Sequence, residues 1–284
     1  MSKQFDVVVG NPPYQKKRDP KDKKTQAIWP GFVDLAFKIC KDNGYICLVH
    51  PSGWRKSGNS PFGKIGKKIR TKQIKYLEIH DEKDGIKTFK ATTRYDWYVL
   101  QNKEQKETTK IKDGNGQIIN ADLSKWNFIP NSHFDLIKSF IAKDEEEKVN
   151  LFHSWTDYET RQKWMSKKET KRFKYPIIYS TLVNKLTIWY SSTNKKGHFG
   201  VLKLIFNPSS PIGHFIDEKG EYGMSQFCVG IVGNKKYLKM VAKVIKNQKT
   251  NGFKEFMESC HFTDKIFNKD IISLFRKDFW KDFI

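Results

Sequence analysis

The feature that most constrains this chain is the passage from residues 5–9 (FDVVV) directly into Gly10-Asn11-Pro12-Pro13-Tyr14. The run is apolar and β-branched, the pattern of a strand buried on both faces of a sheet. Glycine and two consecutive prolines then end it abruptly, because proline fixes φ and has no backbone N–H to give to a ladder. A buried strand that stops in a rigid turn belongs to a layered α/β fold, where ligands gather beyond the carboxyl ends of the strands.

The rest of the first hundred residues fits that layout. Residues 26–41 read as a helix, with Ile28, Phe32, Leu35, Ala36 and Ile39 at spacings of three and four forming its apolar face, and Asn43-Gly44 as its stop. Residues 45–49 (YICLV) read as a second buried strand, 62–73 as a basic helix, 74–79 (IKYLEI) as a third strand and 97–100 (WYVL) as a fourth. Strands separated by helical patterns predict a largely parallel sheet. Residues 103–125 are polar and 131–149 look helical, so 104–150 is expected to be a connecting segment between a first domain, 1–103, and a second, 151–284. In the second domain, short strand candidates at 177–182, 186–191, 201–206, 213–216 and 226–232 precede helices expected at 235–247, 252–259 and 268–280. Residues 217–223 (DEKGEYG) read as a hairpin turn. The fold class expected is α/β, followed by an α+β domain.

Charge points to the partner. The chain has 53 Lys+Arg against 31 Asp+Glu, a formal net charge of +22. Such an excess repels itself unless a polyanion is the usual partner. It is concentrated at 16–24 (six basic, two acidic), 64–72 (five basic, none acidic) and 161–174 (seven basic, one acidic). Solvated surface lysine is the plain alternative to a phosphate-tracking surface. Candidate phosphate contacts are Lys16, Lys17, Arg18, Lys67, Lys68, Arg70, Arg94, Lys167, Lys168 and Arg172. Cys40, Cys47, Cys228 and Cys260 form no CxxC pair, so neither a disulfide framework nor a metal site is expected, and a reducing cytoplasm is the natural compartment. No apolar run approaches the ~20 residues that span a bilayer, and residues 1–10 carry no secretory pattern.

The chemistry sits in Asn11–Tyr14. The Asn11 carboxamide oxygen and a backbone carbonyl freed by the prolines are two acceptors for one NH₂ group. Accepting both hydrogens draws the nitrogen lone pair out of conjugation and aims it at an electrophile. Tyr14 offers a face on which a planar base can stack. These are the parts needed to methylate the exocyclic amine of a nucleobase, which must first leave the duplex stack. A rigid strand-ending turn without chemistry is the plain alternative.

With these residues in place the chain resembles a family. FDVVVGNPPY looks like motif IV of the amino-methyltransferases that use S-adenosylmethionine, in particular the gamma-class adenine-N6 DNA methyltransferases of restriction-modification systems. GFVDLAFKICKDNGYICLVHPSGW is similar to the helix and strand that follow, with His50-Pro51-Ser52 resembling motif VI, and KTFKATTRYDWYVLQN is similar to motif VIII. The resemblance covers residues 3–103. It implies a partial Rossmann-like methyltransferase sheet, its C-terminal half. It makes Asn11, Pro12, Pro13 and Tyr14 catalytic. It places Tyr14 and Phe89 where the family sandwiches the flipped adenine, and Phe32, with Asn11, where the family meets S-adenosylmethionine. Residues 151–284 become a DNA target-recognition domain, with Asn184, Asn207, Ser209, Ser210, His214 and Gln226 as candidate readout residues. Double-stranded DNA is the implied partner, and a bacterial or phage-encoded cytoplasmic protein the implied setting.

The family's glycine-rich cofactor loop and its strand precede motif IV, and no counterpart stands before residue 11. Gly230 and Gly233, in FCVGIVGNKKYL, have the wrong spacing to replace it. The run 5–9 is therefore expected to be an open apolar sheet edge, completed by a second polypeptide that supplies motif I and the missing strands. The alternatives are a DNA-binding recognition subunit, an inactive truncated methyltransferase, or an RNA base methyltransferase.

Overall fold

The computed structural model describes residues 3–16, 26–58, 60–183, 185–262 and 268–284, arranged in two compact units, 1–132 and 133–284. The candidate contacts Lys17 and Arg18 and the candidate readout residue Asn184 lie outside the described residues.

The first unit is built on a six-stranded sheet. In chain order its elements are β1 (Phe5–Gly10), α1 (Trp29–Ile39), β2 (Cys40–Pro51), α2 (Pro61–Arg70), β3 (Lys72–His80), α3 (Glu82–Phe89), β4 (Tyr95–Glu104), β5 (Thr109–Lys112) and β6 (Ile118–Ala121). The strand order is β1-β2-β4-β3-β5-β6. β1 runs parallel to β2 and β3 parallel to β5, whereas β4 is antiparallel to both β2 and β3, and β6 is antiparallel to β5. The sheet is thus mixed rather than largely parallel. β1, β2, β3 and β5 share one direction because β3 skips a place, and β4 returns through the gap. The segment 103–125, expected to connect domains, instead forms the β5–β6 hairpin on the edge of this sheet. Asp113 organises its turn by accepting from the backbone N–H groups of Asn115 and Gln117, both at 2.9 Å.

Two expectations about burial are corrected. β1 is not buried on both faces. It pairs with β2 alone among the described strands, and Val7 and Val9 are 56% and 73% exposed. The apolar face of α1 is also shifted, only Ala36 of the expected set being buried. Trp29, Val33 and Ala36 are buried, with Cys40 just beyond, whereas Phe32 (37% exposed) and Leu35 face outward. Trp29 decides the register, because its ring stacks on His50 at 4.5 Å and on Phe62 at 5.3 Å. Asn43-Gly44 does not stop the helix but bulges within β2, Asn43 standing at φ 62°. A Cβ on Gly44 would lie 2.8 Å from the Asp6 carbonyl, so only glycine lets β1 approach there.

The second unit contains α4 (Phe134–Phe140), β7 (Leu151–Phe152), β8 (Met165–Ser166), β9 (Tyr175–Leu182), β10 (Lys185–Ser191), β11 (Lys203–Phe206), β12 (His214–Asp217), β13 (Gly223–Met224), β14 (Val229–Val232), α5 (Lys235–Lys246), α6 (Phe253–Ser259) and α7 (Lys269–Ile272). Its strands form two four-stranded sheets, β13-β9-β10-β8 and β12-β11-β14-β7. Ile178 and Ile205 come from the two sheets and share one core with Met224 and Cys228. Residues 217–223 do not make a hairpin. Asp217 accepts from the N–H groups of Glu221 and Tyr222, and the chain crosses from β12 to β13, which pairs with β9 in the other sheet. The helices expected over 131–149 and 268–280 shrink to α4 and to α7 with a 3₁₀ turn at Phe279–Phe283. Phe140, Phe256, Phe275, Phe279 and Phe283 pack there ring against ring, and tertiary packing fixes that region more than helical periodicity does.

Among the described residues no helix is long and apolar enough to cross a membrane, and no group of His, Cys, Asp and Glu side chains is arranged to hold a metal ion.

Candidate active site

The carboxyl ends of β1, β2 and β3 and the start of β4 meet at one end of the first sheet. Gly10 pairs with Leu48, while Tyr95 lies opposite both Pro51 and His80. Asn11–Tyr14 leaves β1 at this end. Asn11 and Pro13 are exposed, Pro12 is buried and Tyr14 is half-buried. The Asn11 carboxamide has no hydrogen-bond partner among the described residues. The turn is pinned from behind: the Tyr14 carbonyl accepts from Ile28 N at 3.1 Å, Lys16 N donates to the Gln26 carbonyl at 2.9 Å, and Gln15 bridges to Ala27.

Tyr14 turns its hydroxyl inward. That oxygen is buried and unpartnered among the described residues, and burial, with Tyr95 and Asp96 nearby, pushes the phenol up to about 12. The ring meets Phe89 edge-on, with centroids 6.1 Å apart and planes at 74°. Phe89 is the last residue of α3, whose placement depends on a short set of contacts. Asp81 caps its start, accepting from Asp84 N at 2.9 Å. The Asp84 carboxylate accepts from the Tyr95 hydroxyl and from His80 Nδ1 at 2.9 Å, and this bonding, the Tyr95 hydroxyl foremost, holds its pKa below the usual carboxylate range. His80 stacks flat on Tyr95 at 4.4 Å, and Phe89 meets Tyr95 edge-on at 4.8 Å. A Cβ at Gly85 would come within 2.0 Å of the Thr93 carbonyl, so the helix presses directly on the strand-entry loop. Nothing in the sequence marked α3 as a helix. The Asp81 cap is the local signal that was available.

Beneath this end lies a buried polar network, in which Asp96 Oδ1 has no hydrogen-bond partner among the described residues. Arg55 and Asp96 are fully buried. Arg55 Nε and Trp54 Nε1 both donate to Asp96 Oδ2 at 2.8 Å, while the other guanidinium nitrogens reach the Ile129 carbonyl at 3.0 Å and Asn131 Oδ1 at 2.7 Å. Burial works against both charges, raising the Asp96 carboxyl and lowering the Arg55 guanidinium. His50, also wholly enclosed, is pushed down to about 4 by burial and is neutral. It contacts the Pro51 carbonyl through Nδ1 and the Tyr98 hydroxyl through Nε2, both at 3.2 Å. Neither Arg55 nor Asp96 was singled out from the sequence, since they stand 41 residues apart.

The basic candidates divide into two kinds. Lys16 and Lys67 are exposed. Lys68 is held by Asp34 at 2.6 Å and lies over the Phe37 ring. Arg70 turns inward to the carbonyls of Trp54 and Asn127, and burial lowers it to about 10. Arg94 pairs with Glu82 at 3.4 Å. Arg70 and Arg94 are thus half-buried and already engage groups of their own unit. Lys167, Lys168 and Arg172 are exposed in the second unit.

Several candidate readout residues are occupied. Gln226 bonds Thr160 through both ends of its amide and gives its carbonyl to His153. Asn207 caps the turn at Ser209, and His214 is partly buried against the Ile212 carbonyl. Ser209 is exposed and Ser210 half-buried. Gly230 and Gly233 pack against Met224 and Tyr237 rather than forming a ligand loop.

Residues 1–89 match the family described as Eco57I restriction-modification methylase. Over 174 residues the chain is 26% identical to an uncharacterized adenine-specific methylase of Mycoplasma pneumoniae, covering 59% of this chain and 38% of that protein. The chain thus spans less than half the length of that curated relative. Among solved structures, it is similar to the type IIL restriction-modification enzyme MmeI in complex with DNA, at 10% identity and a TM-score of 0.43, covering 95% of this chain and 45% of that one. It is likewise similar to the type IIG restriction endonuclease BpuSI, at 10% identity and a TM-score of 0.39, covering 95% of this chain and 46% of that one.

Proposed function

We propose that this chain is the catalytic and recognition part of a restriction-modification DNA methyltransferase, acting on the N6 amine of an adenine flipped out of the duplex. The observation that carries the reading is the exposed Asn11 carboxamide at the carboxyl end of β1, unpartnered among the described residues, three positions before Tyr14, whose ring meets Phe89. The family match over residues 1–89 and the adenine-specific relative support it.

In this reading Asn11 Oδ1 and the Pro12 carbonyl accept the two amine hydrogens, leaving the nitrogen lone pair free for attack. Tyr14 stacks on the base from one side and Phe89 from the other. Two stacked layers need ring planes about 7 Å apart, whereas the rings now meet edge-on at 6.1 Å, so the base opens its own slot by turning Phe89 or α3 aside. Tyr14 keeps its proton throughout the neutral range, so it stacks and does not act as a base.

S-adenosylmethionine supplies the electrophilic methyl group. The residues present fit one side of that cofactor: Phe32 shows an open ring on α1, next to the uncovered strand β1. The other side, with its glycine-rich loop, comes from a further segment or a partner polypeptide that pairs with β1. Val7 and Val9 on β1, with Phe32 and Leu35 on α1, are the exposed apolar residues such a neighbour would cover. The second unit carries duplex recognition, in a cytoplasmic setting.

The test is transfer of tritiated methyl groups to duplex DNA, with and without the neighbouring polypeptide. Asn11→Ala is expected to abolish transfer while duplex binding and S-adenosylmethionine binding by the assembled protein persist. Full transfer by Asn11→Ala would refute the reading. The edge-on closure of Tyr14 against Phe89 favours one alternative, a recognition subunit with an unused pocket. It predicts duplex binding and no transfer under any condition.

A further inference from the structure

The turn that carries β8 is dense in cations, residues 161–174 holding seven basic residues against one acidic. On the helical side several cations pair with carboxylates, among them Lys235, Lys254, Arg276 and Lys277, while Lys236 and Lys239 on α5 do not. Around the sheet β13-β9-β10-β8, Arg161 pairs with Glu159. Lys167, Lys168, Lys171, Arg172, Lys174 and Lys196 form no ion pair with any described residue.

This end of the sheet also carries a row of aromatic rings. Ile177 and Trp189 share a cluster with Tyr158, Met165, Trp164 and Phe199. From it the row continues outward: Trp189 stacks on Tyr179 at 5.1 Å with planes 10° apart, and Tyr179 meets Phe227, which is 42% exposed, at 5.3 Å. Two of the free lysines rest on this row. Lys167 Nζ lies 5.5 Å from the Trp189 centroid, and Lys196 Nζ lies 4.6 Å from that of Trp164. β8 pairs with β10 at Ser166–Tyr190, and Ser192 N donates to the Trp164 carbonyl at 3.0 Å, which brings the two lysine-bearing turns together. Trp164 is itself fixed by a bond from Nε1 to the Asp157 carbonyl at 2.9 Å.

We propose that this lysine-capped aromatic face of the β8–β10–β9 sheet is where the second unit meets double-stranded DNA, with Lys167 and Lys196 taking backbone phosphates from fixed positions on their tryptophan rings. The inference rests on the DNA-methyltransferase reading and assigns the surface that reading leaves open. Charge complementarity names the occupant, since cations without internal partners gain most from a polyanion. The rings explain the choice of these two lysines. A free lysine gives up much rotamer freedom to grip a phosphate, whereas one already resting on an indole face has lost part of it and is steered by the ring quadrupole. An ammonium has three donors, so the head can meet a phosphate without leaving the ring.

The experiment is duplex binding by the full chain, followed by fluorescence anisotropy between about 50 and 200 mM salt. The variant Lys167→Ala/Lys196→Ala is compared with a control on the helix α5, Lys236→Ala/Lys239→Ala, whose two lysines are exposed and form no ion pair with any described residue. Each phosphate contact contributes about 0.9 to the slope of log affinity on log salt, so the first variant should lower the slope by about two and the control should leave it unchanged. Trp189→Leu, keeping Lys167, should weaken binding about two- to five-fold with little change in slope. Circular dichroism and urea unfolding establish that the variants are folded. If the wild-type chain binds duplex with a steep salt dependence and Lys167→Ala/Lys196→Ala keeps that slope, the surface is overturned while the DNA reading stands. The same holds if the α5 control alone lowers it. If the wild-type chain shows no salt-dependent duplex binding, the surface and the broader reading fall together.

Discussion

Arg55→Met is the most informative perturbation of the first unit. Arg55 and Asp96 are wholly enclosed, and all three guanidinium nitrogens donate, to Asp96, the Ile129 carbonyl and Asn131. Removing the cation leaves the Asp96 carboxylate in the interior with one remaining donor, Trp54 Nε1 at 2.8 Å. Breaking a buried pair from one side costs about 3–5 kcal/mol, against a typical total of about 5–15 kcal/mol. The double variant Arg55→Met/Asp96→Asn removes the stranded charge while keeping an acceptor for Trp54. It should therefore be more stable than Arg55→Met alone by about 2 kcal/mol, although it carries one more substitution. A pH signature separates this account from lost packing. In Arg55→Met burial raises the Asp96 carboxyl with no cation to oppose it, so its folded pKa stands above its unfolded one. The folded state then binds more protons than the unfolded state between those values, and stability recovers as pH falls toward the unfolded pKa. The double variant lacks that recovery. The assay is urea unfolding at pH 7 and pH 5, with hydrogen exchange of β2 and β4 peptides assigning the transition to the first unit. A loss below about 1 kcal/mol in Arg55→Met, or a double variant as unstable as the single with the same pH response, would refute the reasoning.

Two further outcomes follow from the same unit. His50 is lowered to about 4 in the folded chain from an ordinary 6.5, so the unfolded state binds the extra proton first. Stability should fall as pH drops from about 6.5 toward 4, by up to about 3 kcal/mol, and His50→Gln should flatten that part of the wild-type profile in urea titrations. Val9, being mostly exposed at the sheet edge, should tolerate Val9→Asp with a change of about 0.5 kcal/mol or less in the chain alone. The same variant should sharply reduce co-purification with the polypeptide proposed to complete the sheet, and undiminished co-purification would place such a partner elsewhere.

How far the fold was legible depends on whether each element carries its own signal. β1 and the turn after it were readable because a β-branched run and two prolines act locally. The strands at 45–49, 74–79 and 97–100 all reappear inside β2, β3 and β4. α3 was not readable: EKDGIKTF is polar and has a glycine in its middle, and the helix exists because Asp81 caps it and Gly85 lets it press on Thr93. The β5–β6 hairpin looked like a linker because its polar residues alternate with few apolar ones, and only pairing with β3 makes it part of the sheet. Arg55–Asp96 and the His80–Asp84–Tyr95 contacts that set Phe89 were invisible for the same reason, since each depends on partners brought together by the sheet.

The misassigned face of α1 follows from different physics. WPGFVDLAFKI is apolar on two sides, so spacings of three and four fit Phe32–Leu35–Ile39 as well as Trp29–Val33–Ala36. Periodicity cannot choose between two apolar stripes, and the core took the one bearing Trp29, the larger ring, with a stacking partner on each side. The other stripe stays open, as do Val7 and Val9 on β1 and Tyr45, which pairs with Val7 on β2. The two sequence expectations that failed on burial, a fully buried β1 and a core-facing Phe32, thus fail on the same elements. Both expectations assume that apolar residues are covered, and both become correct once a neighbour pairs with β1 and packs on Phe32. The residues where sequence and structure disagree are thus the ones that the proposed neighbour at this edge would cover.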